Sequence, residues 1–388
     1  MRKVLNGLMA VGVIAVLLAA MVISILLPKT ENPYENRPAV KLPAFSLSSA
    51  LSGAYQDTLE SALHDQLPAS QVLEQLYQNG ANRLILRALF AQSAENPNAY
   101  YQFNDLLLFR SDIVYAPVFA RDKLGELSAK AEYMNRLFVT YPELSYYVFY
   151  IEKDTDFDFE NGVPTGVSDE MLSRLWLPES HMAVERISSF ADFRERFYRT
   201  DHHWNHVGSY AGYTHLLRLL GKTDPLKPVG TVRVGTAFRG AKALVSGAAS
   251  FFSEPFDVYR FDFPRMDITI NGFPSADYGR QSEAWDEEAF GPVAYGSYYG
   301  FDYGEVTFHT DQPGAGNILV LGESFDNAIL KLLASHFENL YAVDLRAYKE
   351  DMGKPFRFSE YIAAHNIDTV LLIGNIDYFL LPSFNVGG

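Results

Sequence analysis

Residues 317–345 read NILVLGESFDNAILKLLASHFENLYAVDL. An apolar run, NILVL, ends at a glycine. The next segment, DNAILKLLASHF, places Ile329, Leu332, Leu333 and Phe337 on one helical face, and a second apolar run, NLYAVDL, follows. Further on, FSEYIAAHN and DTVLLIGN repeat the order helix then strand. Upstream, SYYVFYIEK (Ser145–Lys153) has the aromatic and β-branched character of a buried strand. Strands that are apolar throughout and alternate with helices predict an α/β domain, a parallel sheet flanked by helices on both faces.

In open sheets of this kind, chemistry collects beyond the carboxyl ends of the strands. Ser324 stands at such an end. Gly322 permits a tight turn there, and the N–H groups that open the following helix suit an oxyanion. Ser324 thus reads as a nucleophile, and equally as an ordinary helix N-cap. Asp326 occupies the place of the second glycine in the G-x-S-x-G elbow, so that motif is absent.

A serine nucleophile needs a base. Residues 198–213, YRTDHHWNHVGSYAGY, hold three of the nine histidines. Asp201 and His203 are separated by one residue, and on an extended chain they share a side. Asp201 then orients His203, Trp204 shields the imidazole, and His202 faces away. Two other readings stand beside this one. His202 and His206 have i, i+4 spacing and Asp201 could add a ligand oxygen, which is a metal pattern, although the Glu of H-E-x-x-H is missing. A structural histidine cluster is the third. The helix NHVGSYAGYTHLLRLLG follows, with Asn205 or Ser209 as its cap.

The rest of the chain sets bounds. A net charge of −15 over 388 residues argues against nucleic acid as a partner. The absence of cysteine excludes disulfides and thiolate chemistry. Arg2 and Lys3 precede an uncharged apolar run, Val4 to Leu27, long enough for a hydrocarbon core of ~30 Å. The expectation is an uncleaved signal-anchor with a cytoplasmic N-terminus and an extracytoplasmic body; a cleaved signal peptide is the alternative. Residues 1–28 are expected as cytoplasmic start and transmembrane anchor, 29–98 as linker and helical accessory segment, and 99–388 as the α/β domain. Gly230 to Phe308 reads as strands and long loops inserted in that domain.

The segment YRTDHHWNHVGSYAGY resembles the signature of the bacterial DHHW protein family, itself similar to the SGNH-hydrolase-like domains of alginate O-acetyltransferases. ENRPAVKLP, GAYQDTLESALHDQLP, ILVLGESFDNAILKLLASHFENLYAVDLR and YIAAHNIDTVLLIGN fit the same pattern, so the resemblance spans about Glu35 to Asn375. It implies an SGNH-hydrolase-like fold with Ser324 as nucleophile, His203 as base and Asp201 as orienter. Gly322, Gly300, Asn375 and Trp204 are candidates for the oxyanion hole and pocket. Tyr298, Tyr299 and Tyr303, in a glycine-rich loop, are candidates for stacking on sugar rings, and equally for packing on the core.

The implied activity is O-acetyl transfer, or acetyl-ester hydrolysis, on a cell-surface or secreted polysaccharide. It would involve a polysaccharide acceptor, a membrane acetyl-donor protein, no cofactor and no metal. The alternative is a non-catalytic glycan-binding or assembly protein with the same fold. Three departures stand out. Glu323 replaces a frequent Asp, no Arg follows the Asp-x-x-Pro end, and the region YGSYYGFDYGEV lacks the asparagine of a frequent Gly-Gly-Asn. Asp302 cannot replace that donor as a carboxylate.

Overall fold

The computed structural model describes residues 2–32, 37–68, 70–103, 106–115, 124–246, 248, 252–281, 285, 286 and 292–380, without the side chains of 2–10, 13, 14, 17, 31, 32, 37, 38, 71–75, 77–79, 81, 82, 115 and 124. The chain divides into two units, Met1–Leu84 and Ile85–Gly388.

The first unit is helical, with helices Arg2–Leu26, Leu47–Ser52 and Ala54–Gln66. The buried Gln66 ties it together. Its Oε1 accepts Lys29 N–H at 2.7 Å, its amide donates to Lys29 O and Val40 O, and its carbonyl accepts Ser24 Oγ–H at 3.0 Å. The apolar run expected as an anchor is thus a helix. Among the described residues, however, no helix is long and apolar enough to cross a membrane, so the transmembrane expectation is not supported.

The second unit is built on eight strands: β1 (Ser145–Ile151), β2 (Met182–Glu185), β3 (Met266–Ile270), β4 (Phe273–Ser275), β5 (Glu305–Thr310), β6 (Asn317–Leu321), β7 (Asn339–Val343) and β8 (Thr369–Gly374). Their order is β4-β3-β5-β7-β6-β8-β1-β2. The five strands from β7 to β2 run parallel, as the helix–strand alternation predicts. The other three do not. β5 pairs antiparallel with β7, β3 with β5, and β4 with β3. The sheet is therefore mixed, which corrects the expected parallel one. β3 and β4 join through the tight turn Asn271–Gly272, both residues at positive φ, and so need no crossover helix.

The central strands are buried on both faces. Ile318, Val320, Leu371 and Ile373 enter one core with Phe149, while Leu319, Leu321, Val370 and Leu372 enter another with Val148. Alternate residues of one strand feed opposite cores, so no polar residue interrupts them. The helix His206–Leu219 is capped by Asn205, whose Oδ1 accepts the N–H of Val207 and Gly208. The inserted region forms an antiparallel ribbon, Gly230–Phe238 with Glu254–Arg260.

Candidate active site

The carboxyl ends of β6, β8, β1 and β7 lie side by side, and just beyond them stand Ser324, Asn375, Lys153 and Arg346. The chain leaving β6 does not enter a long helix at once, as the sequence suggested. Asp326 N–H bonds Glu323 O and Ile329 N–H bonds Asp326 O, giving a tight three-residue turn before the short helix Leu330–Ala334. Gly322 is needed here for close approach. A Cβ at that position would lie 1.6 Å from Asp326 Oδ2.

Asp201, His203 and Ser324 meet. His203 Nε2 is 2.8 Å from Ser324 Oγ, and His203 Nδ1 is 2.6 Å from Asp201 Oδ1. All three residues are buried. The Asp201–His203 contact does not come from an extended chain. Residues 199–203 form a loop closed by a bridge between Phe197 and Trp204. Asp201 Oδ1 also accepts His203 N–H at 3.0 Å, a local turn that draws the two side chains together. Asp201 Oδ2 accepts Ala241 N–H at 2.8 Å. Burial alone would raise the Asp201 carboxyl. His202, His203 and these hydrogen bonds outweigh it and hold the group well below the usual carboxylate range. An ionised Asp201 fixes the proton of His203 on Nδ1 and leaves Nε2 as the acceptor.

The ring of His203 lies flat on Tyr295, with centroids 3.9 Å apart and planes 3° off parallel. Tyr295 O–H bonds Ser324 O at 3.3 Å. This tyrosine takes the shielding place expected of Trp204. Trp204 instead fills the core beneath the helix, where a Cβ on Gly212 would meet its ring at 2.4 Å. His202 does not face away. Because the loop is bent, it lines the cavity above Ser324, its ring 3.9 Å from that of His203. Burial and the neighbouring His203 push its pKa well down.

That cavity, of about 220 Å³, is also lined by Lys153, Glu323, Arg346, Asn375 and Asp377. Lys153 Nζ pairs with Asp377, and Arg346 pairs with Asp344 and Asp302. Burial pushes the Asp302 carboxyl up to about 7, against the pull of Arg346. Lys153 and Arg346 were not singled out as pocket residues from sequence. Their signal was position, each falling just past a strand of the parallel sheet.

Asn375 lines the cavity, with its amide donating to Glu323 Oε1 at 2.7 Å. The glycines expected as oxyanion donors are committed elsewhere. Gly300 N–H bonds Gly296 O at 2.8 Å and Gly322 N–H bonds Val343 O at 3.3 Å. Tyr298 and Tyr299 are core residues, packed with Phe256, and Tyr303 packs half-buried against the central core. None of the three lines the Ser324 cavity.

Asp201, His202 and His203 offer ligand atoms within 4.8 Å of one another, and no other such group occurs among the described residues. Both ring nitrogens of His203 already have partners in Asp201 and Ser324, so the trio lacks an open ligand set.

The DHHW protein family matches residues 185–343, a span holding Asp201, His203 and Ser324, and the resemblance read from the sequence holds. A DHHW family protein from Eubacterium siraeum has the same fold at a TM-score of 0.56 and 14% identity, over 74% of this chain and 95% of its own. PatB1 of Bacillus cereus, in a structure with a sulfonyl adduct, matches at 0.56 and 19% identity, over 75% of this chain and 99% of its own. No curated protein matches.

Proposed function

We propose that this chain is a serine-dependent O-acetyltransferase or acetyl esterase acting on a cell-surface or secreted polysaccharide. One observation carries the proposal: Ser324 Oγ stands 2.8 Å from a histidine whose other nitrogen is held by a buried aspartate. Ser324 Oγ attacks the acetyl carbonyl while His203 Nε2 takes its proton and then gives it to the donor's departing oxygen, whose bond to the acetyl carbon breaks to leave the acetyl-enzyme. Asp201 keeps the ring in the accepting tautomer and stabilises the imidazolium. A sugar hydroxyl, or water, then attacks the acetyl-enzyme and gives its proton to His203, which returns it to Ser324 as the ester bond breaks. The main-chain N–H of Ser324 is assigned to the oxyanion, with Lys153 and Arg346 supplying positive charge to the same cavity.

The likeness to PatB1 supports this reading, because a sulfonyl adduct is what an activated nucleophile forms with a sulfonyl electrophile. The polysaccharide acceptor and the membrane acetyl-donor protein rest on the family resemblance. Extracytoplasmic placement rests on the order of Arg2, Lys3 and the apolar run that follows.

A specific observation favours the alternative of a non-catalytic glycan-binding protein. The N–H groups of Gly300 and Gly322 are both bonded to carbonyls, which leaves no glycine donor for the oxyanion. Incubation with p-nitrophenyl acetate, followed by intact-mass and peptide analysis, separates the two. Acetylation at Ser324 that persists in a chelator is expected. An unmodified chain, with no ester turnover, would establish the binding protein instead.

A further inference from the structure

Beyond the relay of Asp201, His203 and Ser324, the serine oxygen has a second neighbour. Ser324 Oγ lies 3.1 Å from Glu323 Oε2, and the other oxygen of Glu323 accepts Asn375 Nδ2–H at 2.7 Å. The chain of contacts therefore runs Asp201, His203, Ser324, Glu323, Asn375. Its two ends are fixed. Asp201 accepts from Nδ1, and Asn375 donates to Oε1.

The two middle links, Nε2 to Oγ and Oγ to Oε2, each need one hydrogen. The serine supplies only one. The other must sit on Nε2 or on Oε2. If it sits on Nε2, His203 is an imidazolium and cannot accept the serine proton. If it sits on Oε2, the imidazole is free. Only the second arrangement both satisfies the hydrogen bonds and leaves a base.

We propose that Glu323 works as a carboxylic acid, its Oε2–H donating to Ser324 Oγ and so directing the serine proton to His203. The proposal rests on the acyl-transfer reading. In the acyl-enzyme the same O–H faces the ester oxygen of Ser324, which has no hydrogen of its own, and supports its departure when the acceptor attacks. The proton of Glu323 is not consumed. The proton of the attacking hydroxyl passes through His203 to Ser324.

The surroundings agree. Burial raises the Glu323 carboxyl, against the opposing pull of Arg346, His203 and Lys153 and with the help of Asp344. The carboxyls of Asp302 and Asp326 are raised as well, by burial first and in part by Glu323. Loss of the proton with rising pH would place Ser324 between two acceptors and weaken its commitment to His203.

The test uses the full chain and an aryl sulfonyl fluoride. Oγ displaces fluoride from sulfur while His203 takes the proton, and the rate of Ser324 labelling is followed by intact mass across pH 5–10. Glu323→Gln reproduces the acid's pattern, donating from Nε2 and accepting at Oε1. It should label within about twofold of the wild type near neutrality and lack any alkaline fall. Glu323→Ala should be about tenfold slower, the worth of one hydrogen bond. Asn375 also caps the short helix Ile376–Phe379, its Oδ1 accepting Asp377 N–H at 2.9 Å; Asn375→Ser keeps a capping oxygen but removes the amide donor to the ionised carboxylate, so the alkaline fall should move to higher pH. This second variant decides the matter if the glutamine chain does not fold.

A glutamine variant as slow as the alanine variant, or one with the wild-type alkaline fall, would overturn the role of Glu323 and leave the relay intact. A wild-type chain that never labels, or labels equally in Ser324→Ala, would remove the acyl-transfer reading and this inference with it.

Discussion

At the end of β6 the side chains are polar and gather around a cavity. In the segment 295–303, expected as a loop but opening as the short helix Tyr295–Tyr299, five aromatic rings pack inward, with Tyr295, Tyr298, Tyr299 and Phe301 all buried. On sequence grounds both regions were candidates to touch substrate. The glycine-rich segment instead packs against His203. Tyr295 lies against His203, and Tyr298 and Tyr299 join Phe256 beneath it. Aromatic residues at high density bury large apolar areas, and the glycines among them let the backbone fold closely. Gly300, at φ 110°, sits where a Cβ would strike the Tyr278 ring at 2.3 Å. An aromatic, glycine-rich stretch therefore does not by itself mark a sugar platform.

Substitutions can break this contrast. At the polar end, Ser324→Ala and His203→Ala should each lower kcat by up to about 10⁶-fold, and the double variant should be little worse, because the relay acts as a unit. Asp201→Asn should cost about 10⁴-fold by favouring the wrong tautomer, with the thermal transition still cooperative. Turnover of a chromogenic acetyl ester measures all four. Clearly additive losses in the double variant would mean that the two side chains do not act together.

In the aromatic loop the expected signature is opposite. Tyr298→Ala should destabilise the fold by about 3–5 kcal/mol in urea denaturation, as large-to-small core changes do. Measured well below its melting temperature, its KM should stay near the wild-type value. A large rise in KM with unchanged stability would restore Tyr298 as a substrate residue.

His202 sharpens the boundary, since it lines the cavity but is not in the relay. His202→Ala should change kcat/KM by about tenfold or less, a loss of at most ~1.4 kcal/mol. If it proves as damaging as His203→Ala, the register of the relay is wrong.

The last test concerns Asp302, a partner of Arg346. Its carboxyl is pushed up to about 7 by burial, against about 3.9 for an unfolded aspartate. Between those values the folded chain binds more protons than the unfolded one. Asp302 therefore contributes stability that is full below about pH 4 and is lost as the pH rises through 7. Asp302→Asn removes that titration. Its stability should fall less steeply over this window, by at most about 1.4 kcal/mol per pH unit, as read from denaturation at successive pH values. An unchanged slope would place the titration elsewhere.

The legible parts of the molecule were those with a local cause. β6, β7 and β8 declared themselves because strands buried on both faces are apolar throughout. Asp201 and His203 were found because their contact is made within three residues. The cap at Asn205 was readable for the same reason. What escaped depended on distant partners. Nothing in Tyr295 says that it will lie on the ring of His203. The antiparallel edge of the sheet escaped too, because strand direction there is set by how β3, β4 and β5 pair rather than by their composition.

The orienter itself is finished from afar. Ala241 donates to Asp201, Gly240 N–H donates to Thr200 Oγ1, and a Cβ on Gly240 would meet that of Asp201 at 2.3 Å. Ser324 lies 121 positions beyond His203. Closing contacts over such separations costs chain entropy that only the assembled sheet offsets. A partly folded chain therefore holds a serine, a histidine and an aspartate but no relay. A covalent label on Ser324 becomes a census of complete molecules, and the fraction labelled during refolding reports when the insertion has docked on the α/β core.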